Sequence, residues 1–300
     1  MAARVGRRRL QGEAGSTIGV GGNILKTKDT YNGHLTFRTT SLYIGDVLDL
    51  YEEYSPDEVD LLKVLAKDRN VILAGANIGA IAVPVGKAAK NLTAFEPNPI
   101  EYELLWGNIQ NCGSCLPCCK ALGEKFGNMY CPVLNPEQPG NVGGASLLGW
   151  TSQDNTTPVQ VIPLDYLKQK DVGLIIADTE GMEIHVVKGA LETIKRDKPY
   201  LYLENNFEAI PPDANNPYGR PCRAADLMKL VESLGYTMYY HFPKLTNKAK
   251  EGELAYGVVS FNMLCVHQYK GYEFAKLEQA SWHLSPVVKK ADGQYVVAQR

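Results

Sequence analysis

Two periods of apolar spacing alternate along the middle of this chain, and they divide it into elements. Ser55-Pro56-Asp57-Glu58 places a cap residue, a first-turn proline and two acids ahead of Val59, Leu62, Val64 and Leu65. That pattern predicts a helix running to about Lys67. A continuous apolar run predicts a strand at 70–75, followed by a helix at 78–90, a strand at 91–96 and a helix at 99–111 opened by Pro99. The Cys-rich stretch 112–119 leads into a third strand ending near Leu122. Residues 127–158 are rich in Pro, Gly and Asn without a clear period, which reads as a functional loop or lid. A short helix at 163–170 precedes 172–177, a run apolar enough for a central strand covered on both faces. Ile184, Val187, Leu191 and Ile194 form one stripe of a helix at 183–195. A strand at 200–203, a helix at 223–233, alternation from Gly235 onward and a strand at 258–266 near the sheet edge complete the pattern. Strands alternating with helices imply a parallel sheet wrapped on both faces.

The most informative chemistry lies at the ends of the first two strands. The run Val71-Ile72-Leu73-Ala74 ends in Gly75-Ala76-Asn77-Ile78-Gly79, and the next run ends in Phe95-Glu96-Pro97-Asn98-Pro99. Glycines let backbone approach a ligand, and an acid after the second strand can accept hydrogen bonds from ribose hydroxyls. A second acidic cluster, Asp178-Thr179-Glu180-Gly181-Met182-Glu183, follows the central run, and Glu204 ends the strand after it. Open α/β sheets bind ligands beyond the carboxyl ends of their strands, so these acids should share one crevice. Glu180 and Glu183 have a plainer use as acids at a helix N-terminus.

The remaining composition narrows the partners. A formal net charge of -2 gives no global attraction to nucleic acid or to an anionic membrane. The one basic cluster, Arg4 and Arg7 to Arg9, sits in a Gly-rich leader, where a solvated terminus is the simpler reading. No run has the length of a membrane span, and residues 10–22 are too punctuated for a secretory signal. Seven cysteines without an export signal fit free thiols in a reducing, cytoplasmic setting, which would make the acceptor sequons at Asn91 and Asn155 irrelevant. Cys112, Cys115, Cys118 and Cys119 have metal-like spacing, yet no second pair follows at finger-like distance, so no metal is expected. Cys131 and Cys222 could join them only through the fold. His185 reads as a packed or surface histidine rather than a base, and the aromatic group from Tyr236 to Phe242 reads as strand.

In order along the chain, Gly75-Ala76-Asn77-Ile78-Gly79, Phe95-Glu96-Pro97-Asn98-Pro99, Asn108-Ile109, the run from Asn141 to Leu147, Leu164-Asp165, the run from Asp178 to Glu183, Lys188-Gly189-Ala190 and Leu203-Glu204 resemble FkbM-type methyltransferases. Tyr51 to Ser55, with Glu58 in the helix that follows, is similar to the family's lead-in. The resemblance implies a Rossmann-like class I methyltransferase fold: α/β, with a seven-stranded, mostly parallel sheet and helices on both faces. It implies an N-terminal extension at 1–41 with room for a short hairpin, a methyltransferase-like domain at 42–268 and a tail at 269–300. By the same resemblance, Gly75, Asn77 and Gly79 surround the methionine part of S-adenosylmethionine. Glu96 holds the ribose with Asn98 nearby, and Leu122 and Gly123 flank the adenine. Asp178 and Glu180 are expected to be catalytic at the methyl-acceptor site, with Glu183 and Glu204 binding the acceptor. That acceptor would be a hydroxyl on a sugar or another small, glycan-like molecule; nucleic acid and a membrane span are not expected.

Two positions depart from the family pattern, which usually has an acid at 73 and often a lysine at 176, where this chain has Leu73 and Ile176. The first departure keeps a non-catalytic binding or structural protein on the same scaffold as the alternative. A nicotinamide dehydrogenase is disfavoured because the turn is Gly-x-Asn-x-Gly and lacks Gly-x-Gly-x-x-Gly spacing.

Overall fold

A computed structural model describes residues 24–206, 223–253, 260–278, 282 and 284–298. In chain order the elements are β1 (Leu25–Thr30), β2 (Gly33–Arg38), α1 (Ile44–Tyr51), α2 (Pro56–Ala66), β3 (Asn70–Ala74), α3 (Ala82–Ala88), β4 (Asn91–Phe95), α4 (Pro99–Asn108), β5 (Cys115–Cys118), β6 (Ala121–Leu122), β7 (Gly127–Pro132) and β8 (Thr156–Ile162). There follow β9 (Val172–Ala177), α5 (Glu183–Lys188), α6 (Leu191–Asp197), β10 (Tyr200–Glu204), α7 (Ala224–Ser233), β11 (Tyr236–His241), β12 (Asn262–His267), α8 (Gly271–Glu278), β13 (Ser285–Lys289) and β14 (Tyr295–Val297). The basic cluster Arg4 and Arg7 to Arg9, Cys222 and the first residues of the expected strand at 258–266 lie outside the described residues.

The main sheet has the order β14-β13-β11-β12-β10-β9-β3-β4-β5. Five neighbours, β5-β4-β3-β9-β10, run parallel, β12 runs antiparallel to β10, and β11 returns antiparallel to β12. Those seven strands give the seven-stranded, mostly parallel sheet expected from the sequence, with the reversed strand β12 between β10 and β11. The β13–β14 hairpin then pairs onto β11, which makes nine strands in all. The pair β12/β11 also corrects the expected place of the last long strand: β12 lies inside the sheet, between β10 and β11.

Alternate residues of the central strands serve two cores. Val71, Leu73, Leu174 and Ile176 pack on one face with Leu62, Val83 and Leu105 from α2, α3 and α4. Ile72, Ala74, Ile175 and Ala177 pack on the other with Ile184, Ile194 and Met228 from α5, α6 and α7. Continuous apolar strands follow from burial on both sides.

Several local expectations shift. The third strand ends at Cys118, and Leu122 belongs instead to a separate sheet of order β6-β8-β7. Part of the expected irregular segment is therefore ordered pairing: Gly127 to Pro132 register against Thr156 to Val161. The helix expected at 78–90 begins only at Ala82, because Asn77 and Gly79 hold positive φ of 47° and 95° in the turn before it. The stripe at 183–195 breaks into α5 and α6 at Gly189, whose missing side chain admits the Gly123 carbonyl (1.9 Å from a virtual Cβ). Ser55 starts α2 without a side-chain cap; its hydroxyl donates to Glu58 Oε2 at 2.6 Å. Among the described residues no helix is long and apolar enough to cross a membrane.

Candidate functional site

The carboxyl ends of β3, β4 and β9 are tied at one point. The N–H groups of Gly75 and Ala76 both donate to the Phe95 carbonyl at 2.9 Å, and the Asp178 N–H donates to the Ala74 carbonyl at 3.1 Å. Gly75 has φ of 81°, and a Cβ there would lie 1.7 Å from the Asp178 carbonyl oxygen. Only glycine lets the first strand turn this close to the fourth.

Glu96 spans the turn and the start of α4. Its Oε2 accepts the Asn77 N–H and its Oε1 the Asn98 N–H, both at 2.8 Å. Asn98 in turn caps α4 by accepting from the Ile100 N–H at 3.0 Å. Burial pushes the Glu96 carboxyl up to about 7, against the lowering effect of those two backbone donors. Each carboxylate oxygen keeps further lone pairs for a hydroxyl donor.

From this corner a cleft of about 620 Å³, including its open mouth, extends across the sheet ends. Gly75, Asn77, Glu96, Asn98 and Leu122 line it, as do Asp178 and Glu180. The sequence thus brought seven of its named positions to one cavity. Glycines and carboxylates gathered beyond the carboxyl ends of parallel strands are the donor and acceptor set of a nucleoside pocket.

Around Asp178, one carboxylate oxygen from each of Asp178, Glu180 and Glu204 lies within 4.8 Å of the others. Burial, followed by the charges of Glu204, Glu180, Glu58 and Glu183, holds the Asp178 carboxyl well above its usual range. Glu204 is buried and accepts from Asn206 Nδ2 at 2.7 Å.

The other named residues have structural neighbours instead of the cleft. Glu183 turns back on its own loop, where Oε1 accepts from Thr179 N–H, Thr179 Oγ1 and Gly181 N–H at 2.8, 3.0 and 3.2 Å. Burial and the charge of Glu204 push its carboxyl up to about 7. Gly79 lies against Leu105 of α4, and Gly123 donates to the Ile162 carbonyl at 3.0 Å beside Gly189. His185 pairs with Arg223 at 2.8 Å.

Part of the segment 127–158, expected to be a functional loop or lid, forms the wall of the cleft. Val142, Gly143, Ala145 and Leu147 line the cleft. The loop is pinned at one side by Gly140 N–H to the Thr40 carbonyl (3.1 Å) and at the other by Ser146 Oγ to the Glu180 carbonyl (2.7 Å). The signal was present in the run from Asn141 to Leu147, which the resemblance had singled out without a role. Cys131 also lines the cleft, brought there by the β7–β8 pairing that composition concealed.

Residues 74–238 match the methyltransferase FkbM domain, just over half of the chain. No curated protein matches it. Among solved structures, it is similar to the methyltransferase FkbM from Methylobacillus flagellatus KT at 17% identity and a TM-score of 0.40, covering 66% of this chain and 43% of that one. The chain thus spans under half the length of that protein. It is also similar to M. jannaschii TYW2 in complex with AdoMet, at 13% identity and a TM-score of 0.39, covering 82% and 85%. A third is the magnesium protoporphyrin IX methyltransferase of Synechocystis PCC 6803 with bound SAM, at 10% identity and 0.38, covering 71% and 77%. On the strength of the family match, this chain belongs to the FkbM methyltransferases.

Proposed function

We propose that the chain transfers a methyl group from S-adenosylmethionine to a hydroxyl oxygen of a small, glycan-like acceptor in a reducing, cytoplasmic setting. The observation that supports this reading is that Glu96 and Asp178 line one cleft together with Gly75 and Asn77 of the glycine turn. Glu96 and Asn98 would hold the ribose end, and Gly75 and Asn77 the amino-acid end. When bound, the cofactor supplies a methyl group activated by its sulfonium charge.

The chain's own residues then have to position an oxygen and hold its proton. Alignment of the reacting atoms is the main requirement of a displacement of this kind. Asp178 would take the hydroxyl proton, its basicity raised by burial and by the carboxylates of Glu204 and Glu180 beside it. The loop carrying Val142 to Leu147 covers the cleft wall and limits water.

Calorimetric titration with S-adenosylhomocysteine, S-adenosylmethionine and NADH tests the reading. Binding of the first two by the wild type and its loss in Glu96→Ala, with the variant's melting temperature checked alone, is the expected result. Tight binding of NADH only would mean a nicotinamide enzyme. Failure of the wild type to bind any of the three leaves a scaffold with a binding or structural role.

A further inference from the structure

The thiol run that the methyl-transfer reading leaves unused contains a built pair. Cys112 closes the turn after α4 and Cys115 opens β5, with Gly113 between them at φ 82° and no atom within 4 Å of where its side chain would be. The Cys115 thiol donates to the Cys112 carbonyl at 3.3 Å. Both residues pack on the same point of α3: a Cβ at Gly86 would lie 2.5 Å from Cys115 Sγ and 3.3 Å from Cys112 Cβ. The Cys112 thiol donates to the Asn108 carbonyl at 4.0 Å.

Surroundings divide the pair. Cys112 is buried and Cys115 partly exposed, so an external reagent meets Cys115 first. Interaction with Cys115 and then the Lys87 charge lower the Cys112 thiol against burial, while that same interaction and burial raise Cys115, so Cys112 is the readier thiolate for the second, ring-closing attack. Burial outweighs the opposing Lys120 charge at Cys118, and at Cys131 it acts with the charges of Glu96, Cys119 and Glu101, so both thiols are raised and neither shares this activation.

We propose that Cys112 and Cys115 are a redox-active dithiol that closes reversibly to a disulfide by exchange with a small disulfide such as oxidised glutathione. Cys115 Sγ attacks one sulfur of the external disulfide, forms a mixed disulfide and releases one glutathione thiolate. Cys112 Sγ then attacks the Cys115 sulfur and releases the second. The two protein sulfurs are oxidised, the two electrons leave with the glutathione thiolates, and both thiol protons go to solvent. The Gly-Ser spacer is short enough to keep the two thiols together, and Gly86, having no side chain, lets both pack against α3.

The test equilibrates the full chain in glutathione buffers running from almost wholly reduced to mostly oxidised glutathione. Free thiols are then trapped with an alkylating reagent and peptides weighed. The expected result is that Cys112 and Cys115 lose alkylation together, in a peptide lighter by two hydrogens, and that dithiothreitol restores both. Cys112→Ser should halt at a glutathione adduct on Cys115, and a thermal melt shows that this variant is folded. Full alkylation of both thiols at the most oxidising poise overturns the proposal. So does a cross-link that joins either of them to Cys118, Cys119 or Cys131.

Discussion

Leu73 of β3 and Ile176 of β9 are register partners on adjacent parallel strands, and both pack into the same apolar core. These are the two positions where the chain departs from the pattern it otherwise resembles, an acid at the first and a lysine at the second. Side by side on one face, they exchange two charges for two hydrocarbons together. Replacing a buried ion pair by packed apolar residues is often neutral or stabilising, whereas changing one member leaves a buried charge alone.

Leu73→Asp should therefore destabilise the fold by about 4 kcal/mol or more, since the carboxylate has no partner. Adding Ile176→Lys should recover at least about 1 kcal/mol of that loss in a double-mutant cycle by urea unfolding. Strict additivity of the two single changes would show that the side chains do not meet.

Gly75→Ala and Gly107→Ala should differ in sign. The first forces a side chain into the Asp178 carbonyl at positive φ and should cost at least about 2 kcal/mol. The second adds a methyl to α4 where no atom lies within 4 Å, and should stabilise by about 0.5–1 kcal/mol. Chemical denaturation of the two variants decides it; a stable Gly75→Ala protein would refute the close crossing of β3 and β9.

Glu58 gives a pH dependence with a defined direction. Burial pushes its carboxyl up to about 7 from an ordinary 4.5, against the hydrogen bond from Ser55. The folded state therefore binds this proton more tightly than the unfolded chain. Its contribution is fully present below about pH 4.5 and is lost as pH rises toward 7. The slope for one such group approaches about 1.4 kcal/mol per pH unit. Glu58→Gln should remove that slope, so the variant gains on the wild type between pH 5 and 8 by roughly 2 kcal/mol. Parallel stability curves for the two proteins across that range would contradict the assignment.

Arg38 of β2 donates to Glu101 of α4 at 2.5 Å, with both side chains buried. Burial raises the Glu101 carboxyl, and the Arg38 charge opposes that shift. Glu101→Ala leaves the guanidinium enclosed without its acid and should cost about 3–5 kcal/mol by thermal or urea unfolding. A loss below about 1 kcal/mol would mean that water reaches the pair and that the hairpin β1–β2 is not anchored by it.

What the sequence made legible was whatever depended on local pattern. The strands around 70–75 and 172–177 were readable because both faces are buried and the runs are nearly continuously apolar. Glu96 and Asp178 could be placed on one rim because the carboxyl ends of parallel strands point the same way. The β7–β8 arm was not readable, since Pro132, Pro158 and the turn-forming residues between its strands conceal a pairing of distant segments. Glu183 illustrates the same limit. Its charge is ordinary at a helix start, and only the positive φ of Glu180 and Gly181 turns the loop so that the carboxylate accepts from Thr179 and Gly181. Gly123 likewise reads as a ligand-side glycine until Gly189 is seen against its carbonyl.

Outermost in the main sheet, β5 carries Pro117, and the Cys118 carbonyl is turned inward to accept from Glu96 N–H at 3.1 Å. Since successive residues of a strand face opposite ways, the proline nitrogen, which has no hydrogen to give, is turned outward. A foreign strand arriving at this border meets a gap in the row of donors where it would need to zip on. The same residue that lets the sheet stop here thus guards it against templating aggregates edge to edge.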